Sequence, residues 1–324
     1  MASKKTVLVL GATGGIGGEV ARHLRDRGFV VRALHRDAAR VGAQDEGLVW
    51  RQGDAMRGED VLRAAEGASI LVHAVNPPGY RRWSELVLPM LENSLAAARA
   101  VGARLVLPGT VYNYGPNAFP VLDEDSPQDP VTQKGAIRVE MERRLRAASA
   151  SGVRSLIVRA GDYFGPRAGN NWFSQGLVQP GKPVRTIQDP GRRGIGHQWS
   201  YLPDVAKTMV ELIEREEALP AFARYHMAGH WDEDGTRMVH AIRRVVAAEA
   251  GGAAPKVRAF PWWALGLAAP FVPLFRELKE MRYLWQQPIR MDNQRLRVVL
   301  GSEPHTPLEE AVRATLLGLG CIDR

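Results

Sequence analysis

One short stretch constrains this chain more than any other. The apolar run Thr6-Val7-Leu8-Val9-Leu10 passes directly into Gly11-Ala12-Thr13-Gly14-Gly15-Ile16-Gly17, and a segment of helical character follows, ending near Gly28. A strand that turns on glycine straight into a helix leaves the first N–H groups of that helix without intrahelical partners, aimed at whatever sits over the turn. Gly11 permits the tight turn, Gly14 lets backbone approach a pyrophosphate, and Gly17 lets the helix pack against the strand. The pattern predicts a dinucleotide site built from Gly11, Thr13, Gly14, Gly15, Ile16 and Gly17, with Ala74, just past the fourth strand, beside it.

Apolar runs and helix-like segments alternate through the first half of the chain, which is the pattern of βαβ units and a parallel sheet. Strands are expected at Val7–Leu10, Val30–Leu34, Leu48–Arg51, Ile70–His73, Arg104–Leu107 and Ser155–Val158. Helices are expected around Ile16–Arg27, Glu59–Ala65, Ser84–Ala100 and Gly135–Ala150, and again at Pro203–Arg215, Thr236–Ala248, Pro261–Gln286 and Leu308–Leu317. From Gly165 to Gly196 no period is sustained, and that stretch reads as a loop region beside a rigid scaffold. The fold class is therefore α/β, a Rossmann-type doubly wound parallel sheet with a smaller, mostly helical substrate domain. The expected division is residues 1–163 and 200–218 for the dinucleotide-binding domain, with residues 164–199 and 219–324 forming a discontinuous second domain over the C-terminal edge of the sheet. Open α/β sheets bind ligands at that edge.

Composition narrows the function classes. The 324 residues are 45% hydrophobic and 24% charged, ordinary for a soluble globular protein. The net charge of +8 comes from scattered arginines rather than a basic block, so nucleic acid is not an expected partner, while anionic small molecules are. A single cysteine, Cys321, excludes an intrachain disulfide, and the N-terminus lacks a secretory apolar region; a cytoplasmic location is expected. Phe260–Phe275 is the longest apolar run, but at about sixteen residues, interrupted by Pro261, Pro270 and Pro273, it falls short of the roughly 20 that a membrane span needs. His73 and His197 have no metal-ligand spacing around them, and no metal is expected.

The end of the second strand selects the cofactor, because a carboxylate there binds a ribose 2′-OH whereas a cation favours a 2′-phosphate. Arg36 stands at that point in Leu34-His35-Arg36-Asp37, which favours NADP; with Asp37 on the ribose instead, the cofactor is NAD. Gly53-Asp54-Ala55, after the third strand, either sets the Asp54 carboxylate, with Ala55 beside it, against the adenine amino group or is an ordinary turn built on Gly-Asp.

These motifs, together with Leu107-Pro108-Gly109-Thr110, Tyr114-Gly115-Pro116, Arg159-Ala160-Gly161-Asp162-Tyr163-Phe164-Gly165-Pro166 and Tyr201-Leu202-Pro203-Asp204-Val205-Ala206, resemble the extended and atypical branches of the short-chain dehydrogenase/reductase superfamily, the NAD-dependent epimerase/dehydratase-like proteins. The resemblance implies a Ser or Thr after the fifth strand and a Tyr-x-x-x-Lys pair on one face of the next helix. Thr110 matches the hydroxyl position, but Lys134 stands in the tyrosine position and Arg138 in the lysine position, so the standard acid is absent. Lys134 is either the proton donor or an exposed lysine at a helix start. Arg138 either binds cofactor hydroxyls or pairs with Glu142 on the solvent face. Two phenols are further candidates: Tyr112, if Thr110, Tyr112 and Tyr114 alternate along an extended segment, and Tyr163 after the sixth strand. The loop Pro190–Trp199, with Arg192, Arg193 and His197, either grips an acidic or phosphorylated substrate, closes over cofactor phosphate, or is a plain surface loop.

The expected activity is NAD(P)H-dependent oxidoreduction of a small carbonyl, alcohol or activated alkene without the usual tyrosine. The alternatives are a redox-neutral nucleotide-sugar epimerase or dehydratase, and a non-catalytic NADP(H)-binding sensor. A homodimer is possible by analogy with the superfamily.

Overall fold

The computed structural model describes residues 4–42, 47–77, 82–169, 171–249, 253–268 and 279–323. The chain folds as two compact units. The first comprises Met1–Asn113, Gln133–Arg159 and Val205–Tyr225; the second comprises Tyr114–Thr132, Ala160–Asp204 and His226–Arg324.

The first unit is built on a seven-stranded sheet. Its strands are β1 (Thr6–Leu10), β2 (Val30–His35), β3 (Val49–Gln52), β4 (Ile70–His73) and β5 (Arg104–Gly109), then β7 (Ser155–Arg159) and β11 (Phe222–His226). They lie in the order β11-β7-β5-β4-β1-β2-β3, and the pairs β2–β3, β1–β2, β1–β4, β4–β5 and β5–β7 are all parallel. The chain reverses its direction of travel across the sheet between β1 and β4, the switch point at which doubly wound sheets open a crevice. Strand β4 is buried throughout, as a strand covered on both faces must be.

Helices α3 (Gly58–Ala65), α4 (Trp83–Val101) and α5 (Gln133–Ala150) bury one core layer with alternate residues of the strands: Leu8 and Leu10, Leu71, and Leu105 and Leu107, against Val87, Leu91, Ile137 and Met141. The far end of the sheet is held by Arg104, whose buried guanidinium donates to the carbonyls of Ser155, Glu216, Leu219 and Pro220. Those bonds tether the turn that feeds β11, a strand that the hydropathy pattern did not reveal.

Among its described residues the second unit contains three small sheets. Strand β10 (His197–Tyr201) lies between β8 (Asp162–Phe164), parallel to it, and β12 (His230–Asp232), antiparallel to it. Strands β6 (Val121–Leu122) and β14 (Arg290–Met291) form one further parallel pair, and β9 (Thr186–Asp189) and β13 (Lys256–Ala259) another. Asp232 caps helix α7 (Arg237–Glu249), accepting the N–H of Arg237 and of Met238, both at 3.0 Å.

Two expectations for this unit require correction. The stretch Gly165–Gly196 is not plain loop: it holds a π-helical turn at Phe173–Leu177 and strand β9, because Phe173 and Ile187 have core to fill. Pro261–Gln286 is not described as one helix; Trp262–Ala268 is helical and Met281–Trp285 is a 3-10 turn, and residues 269–278, with Pro270 and Pro273, lie outside the described residues. Among the described residues no helix is long and apolar enough to cross a membrane.

Candidate dinucleotide and catalytic site

The glycine turn is as tight as the sequence implies. Gly11 has φ +92°, a region that favours glycine, and a Cβ there would stand 2.5 Å from the Ala74 carbonyl oxygen. A Cβ on Gly17 would stand 2.2 Å from the Gly11 carbonyl oxygen and 3.1 Å from the Ala74 Cβ, so helix α1 (Gly15–Asp26) lies against the turn with no room for a side chain. Gly14 is the N-cap, with no side-chain cap and no acidic residue in the first turn. The N–H groups of Gly15, Ile16 and Gly17 therefore open the helix toward an anion, with Thr13 and Gly14 exposed beside them. A pyrophosphate fits this cradle, and the residues that would hold it are those of the fingerprint.

At the end of β2 the two candidate selectors differ. The Arg36 side chain is exposed, and among the described residues none forms an ion pair with it. Asp37 is already engaged, its carboxylate accepting the Arg40 backbone N–H at 3.3 Å and its Nε at 3.0 Å. After β3, Asp54 accepts the Met56 N–H at 2.9 Å within its own turn, and Asn93 holds the Ala55 carbonyl at 2.9 Å. Both residues are half-buried at the strand end.

The catalytic candidates on α5 face inward. Lys134 is only 5% exposed and Arg138 7%, which overturns the reading of Lys134 as a solvated residue and of Arg138 as a surface partner for Glu142. Arg138 donates to Asn76 Oδ1 at 3.1 Å, and its guanidinium lies 5.1 Å from the centroid of the Trp83 ring. Its charge reaches the C-terminal end of β4: the His73 imidazole there is lowered to about 3, chiefly by burial and further by Arg138. His73 Nδ1 is 2.8 Å from Ser94 Oγ.

Glu142, four residues beyond Arg138 on the same helix face, also turns away from solvent. Its Oε1 accepts Arg159 Nη2 at 2.6 Å and Asn113 Nδ2 at 2.9 Å. Arg159 also donates to the Thr110 carbonyl, and the Thr110 hydroxyl donates to Asn113 Oδ1 at 3.1 Å. Arg159, Glu142 and Asn113 are all buried, while Thr110 is half-exposed at the end of β5. Sequence reasoning missed this chain of contacts. The one available signal was the spacing of Lys134, Arg138 and Glu142 in steps of four, which puts all three on one helix face. Nothing in the sequence marked Asn113.

The phenols are placed differently from expectation. Val111–Asn113 is a 3-10 turn, so Thr110, Tyr112 and Tyr114 do not alternate along a strand. Tyr112 is half-exposed in the first unit, whereas Tyr114 is fully buried in the second, its hydroxyl 3.2 Å from His226 Nε2. Tyr163 sits on β8 of the second unit, paired with Ser200 of β10. In that unit His197 is buried, its Nε2 2.9 Å from Asp162 Oδ2 and its ring stacked on Trp285 with centroids 3.8 Å apart. Arg192 and Arg193 of the preceding loop are exposed. Among the described residues no group of His, Cys, Asp and Glu is arranged to hold a metal ion.

A parallel sheet of this order, with a glycine turn against a bare helix start, defines a nucleotide-binding Rossmann protein. A family model described as NAD(P)H-binding matches residues 11–185, more than half of the chain, and the chain belongs to that family. Its fold is also that of solved nucleotide-sugar epimerases. It is 35% identical over 178 residues to a 3-diazoavenalumate denitrifying reductase from a Streptomyces species, a match covering 50% of this chain and 58% of that protein. An uncharacterized protein, y4nL of Sinorhizobium fredii, is 29% identical over 182 residues, 49% of this chain and 51% of its own length. The chain thus spans little more than half the length of the curated relatives it matches. Among solved structures, a UDP-glucose 4-epimerase from Bifidobacterium longum in complex with NAD+ and UDP superposes with a TM-score of 0.71 at 15% identity, covering 98% of each chain. That likeness is one of fold.

Proposed function

We propose that this protein is an NAD(P)H-dependent reductase of a small organic molecule, that it prefers NADP(H), and that it works without the phenolic acid its superfamily ordinarily uses. The observation that carries the reading is the pair of buried cations, Lys134 and Arg138, at the positions of that tyrosine and lysine beside an intact dinucleotide cradle. The sequence relative with a stated chemistry is a reductase, which agrees with this reading. Preference for NADP(H) is supported by the exposed Arg36 and by the prior engagement of Asp37 with Arg40.

When bound, the nicotinamide supplies or accepts a hydride. The chain's own residues do the rest. The first-turn N–H groups of α1 hold the pyrophosphate, and Arg138, braced by Asn76 and Trp83, offers a fixed cation at the end of β4. Of the two residues standing in the family's Tyr-x-x-x-Lys positions, Lys134 is the one placed to serve as the proton donor, because a guanidinium does not release a proton. Thr110 fixes the orientation of the substrate's polar group.

A redox-neutral nucleotide-sugar epimerase or dehydratase is the second reading, and the whole-chain likeness to a UDP-glucose 4-epimerase favours it. That chemistry needs a base on a sugar hydroxyl, so the replacement of the tyrosine counts against it. One experiment separates the two. NADPH is mixed with the protein and a panel of carbonyls, enones, aryl diazo compounds and UDP-sugars. Stoichiometric NADPH oxidation with one of the first three classes supports the reductase. Conversion of a UDP-sugar with no net cofactor consumption, together with NAD released on denaturation, refutes it.

A further inference from the structure

The contacts around Thr110 settle which way its hydroxyl proton points. An arginine side chain has only donors, so Arg159 Nη2, 2.6 Å from Glu142 Oε1, makes that oxygen an acceptor. The same oxygen lies 2.9 Å from the Asn113 side chain, and a carboxylate paired with arginine accepts only; the atom that faces it is therefore the amide nitrogen. The opposite end of the amide, its carbonyl oxygen, faces Thr110 Oγ1 at 3.1 Å. A carbonyl oxygen cannot donate. The single hydroxyl proton of Thr110 accordingly lies on that line, and what the hydroxyl has left to offer is lone pairs.

We infer that the buried Arg159–Glu142–Asn113 chain fixes Thr110 as a hydrogen-bond acceptor toward its ligand, so that the site takes a substrate bearing a hydroxyl in place of a bare carbonyl oxygen. Asn113 and Glu142 are positioning residues that act through Thr110. A reversed amide would set its carbonyl oxygen against the Glu142 carboxylate in a site with no water-facing escape, since Asn113 is fully buried and Glu142 nearly so. In the superfamily's usual arrangement this hydroxyl helps polarise a carbonyl, and an oxygen that gains negative charge as hydride arrives needs donors. Thr110 held this way gives none. An alcohol, enol or phenol on the substrate brings its own proton and completes the bond.

The inference about substrate class rests on the proposed oxidoreductase; the polarity of Thr110 does not, and the tests separate them. Neutron diffraction from the deuterated, cofactor-free protein reads the proton positions directly. The expected map places deuterium on Thr110 Oγ1 along the line to Asn113 and an Asn113 N–D bond aimed at Glu142; deuterium on Thr110 directed elsewhere, with the amide reversed, overturns the inference. Proton NMR of two variants gives the second readout. Glu142→Gln retains an oxygen that can accept from both Arg159 and Asn113, so a slowly exchanging Thr110 hydroxyl signal with a cross-peak to Asn113 survives. Glu142→Leu loses it, and an unchanged signal in a folded Glu142→Leu variant overturns the inference. For the ligand half, matched substrates with and without a hydroxyl are compared in the reductase assay. Thr110→Val raises KM about tenfold for the hydroxyl-bearing member and leaves the other unchanged. Equal effects on both refute the substrate class; absence of any turnover refutes the oxidoreductase and leaves the diffraction result standing.

Discussion

Gly17→Ala tests the cradle at its tightest point. The added methyl would stand 2.2 Å from the Gly11 carbonyl oxygen and 2.8 Å from its carbon, where real Cβ atoms keep at least 3.0 Å, and both obstacles are backbone. The helix start must therefore retreat by about 0.8 Å from the turn. Two costs follow. Overpacking of this kind destabilises by about 1–3 kcal/mol. The retreat also stretches the N–H contacts to a pyrophosphate past the 2.7–3.2 Å range of a good hydrogen bond, and loss of one charge-assisted bond of about 1.5–3 kcal/mol weakens cofactor binding by roughly 10- to 150-fold. Gly28→Ala is the control: it lies at the far end of α1 with φ +84° and nothing within 4 Å of an added Cβ. It costs about 1–2 kcal/mol of backbone strain and touches no phosphate. Calorimetric titration with NADPH and NADH, beside urea melts of both variants, separates the effects. Weakened binding in Gly17→Ala with unchanged binding in Gly28→Ala is expected. Wild-type affinity in Gly17→Ala would falsify the assignment of this turn to the cofactor.

Three further outcomes are expected. Arg36→Ala weakens NADPH binding by about tenfold or more and leaves NADH nearly unchanged, measured by the same titrations; equal effects on both cofactors contradict the assigned preference. Glu142→Leu strands the buried Arg159 charge and costs about 3–5 kcal/mol in chemical denaturation, whereas a surface pair such as Arg244–Glu309, once broken, costs under about 1 kcal/mol. The pH dependence of stability carries the mark of His73, held neutral at about 3 by burial and by Arg138, and of His230, lowered to about 4 by burial and then by His305 and Arg237. Both folded values lie below the ordinary 6.5, so the unfolded chain binds more protons on the acid side. Their contribution is fully present above pH 6.5 and is lost as pH falls through 4 toward 3, each group with a slope approaching 1.4 kcal/mol per pH unit. His73→Gln flattens part of that acid limb in urea melts at stepped pH; an unaltered limb contradicts the burial argument.

Much of the first unit was legible because its signals are local. The run from Thr6 to Leu10 and the turn at Gly11 are governed by neighbours in sequence, and β1 and α1 lie where the period and the glycines put them. Strand β11 escaped notice because its sequence, Phe-Ala-Arg-Tyr-His, is short and holds no continuous apolar run, and its place is fixed from afar by Arg104. The site was half legible for the same reason. Lys134 and Arg138 were found from their register with a motif, but a buried charge and a solvated one look alike in sequence, and it took Arg159 on β7 to show that Glu142 points inward. The condition that the segment after β5 stays extended fails at Val111–Asn113, where Asn113 reaches Glu142 on α5, 29 residues away, a contact that no local pattern announces.

The most direct test of the account follows the hydride. NADPH deuterated at nicotinamide C4 is supplied with the substrate that the panel identifies, and the product is analysed by mass spectrometry against NADPH consumed. One deuterium on a product carbon is expected for each NADPH oxidised. Product that carries no deuterium, formed while the cofactor pool stays constant, contradicts the account.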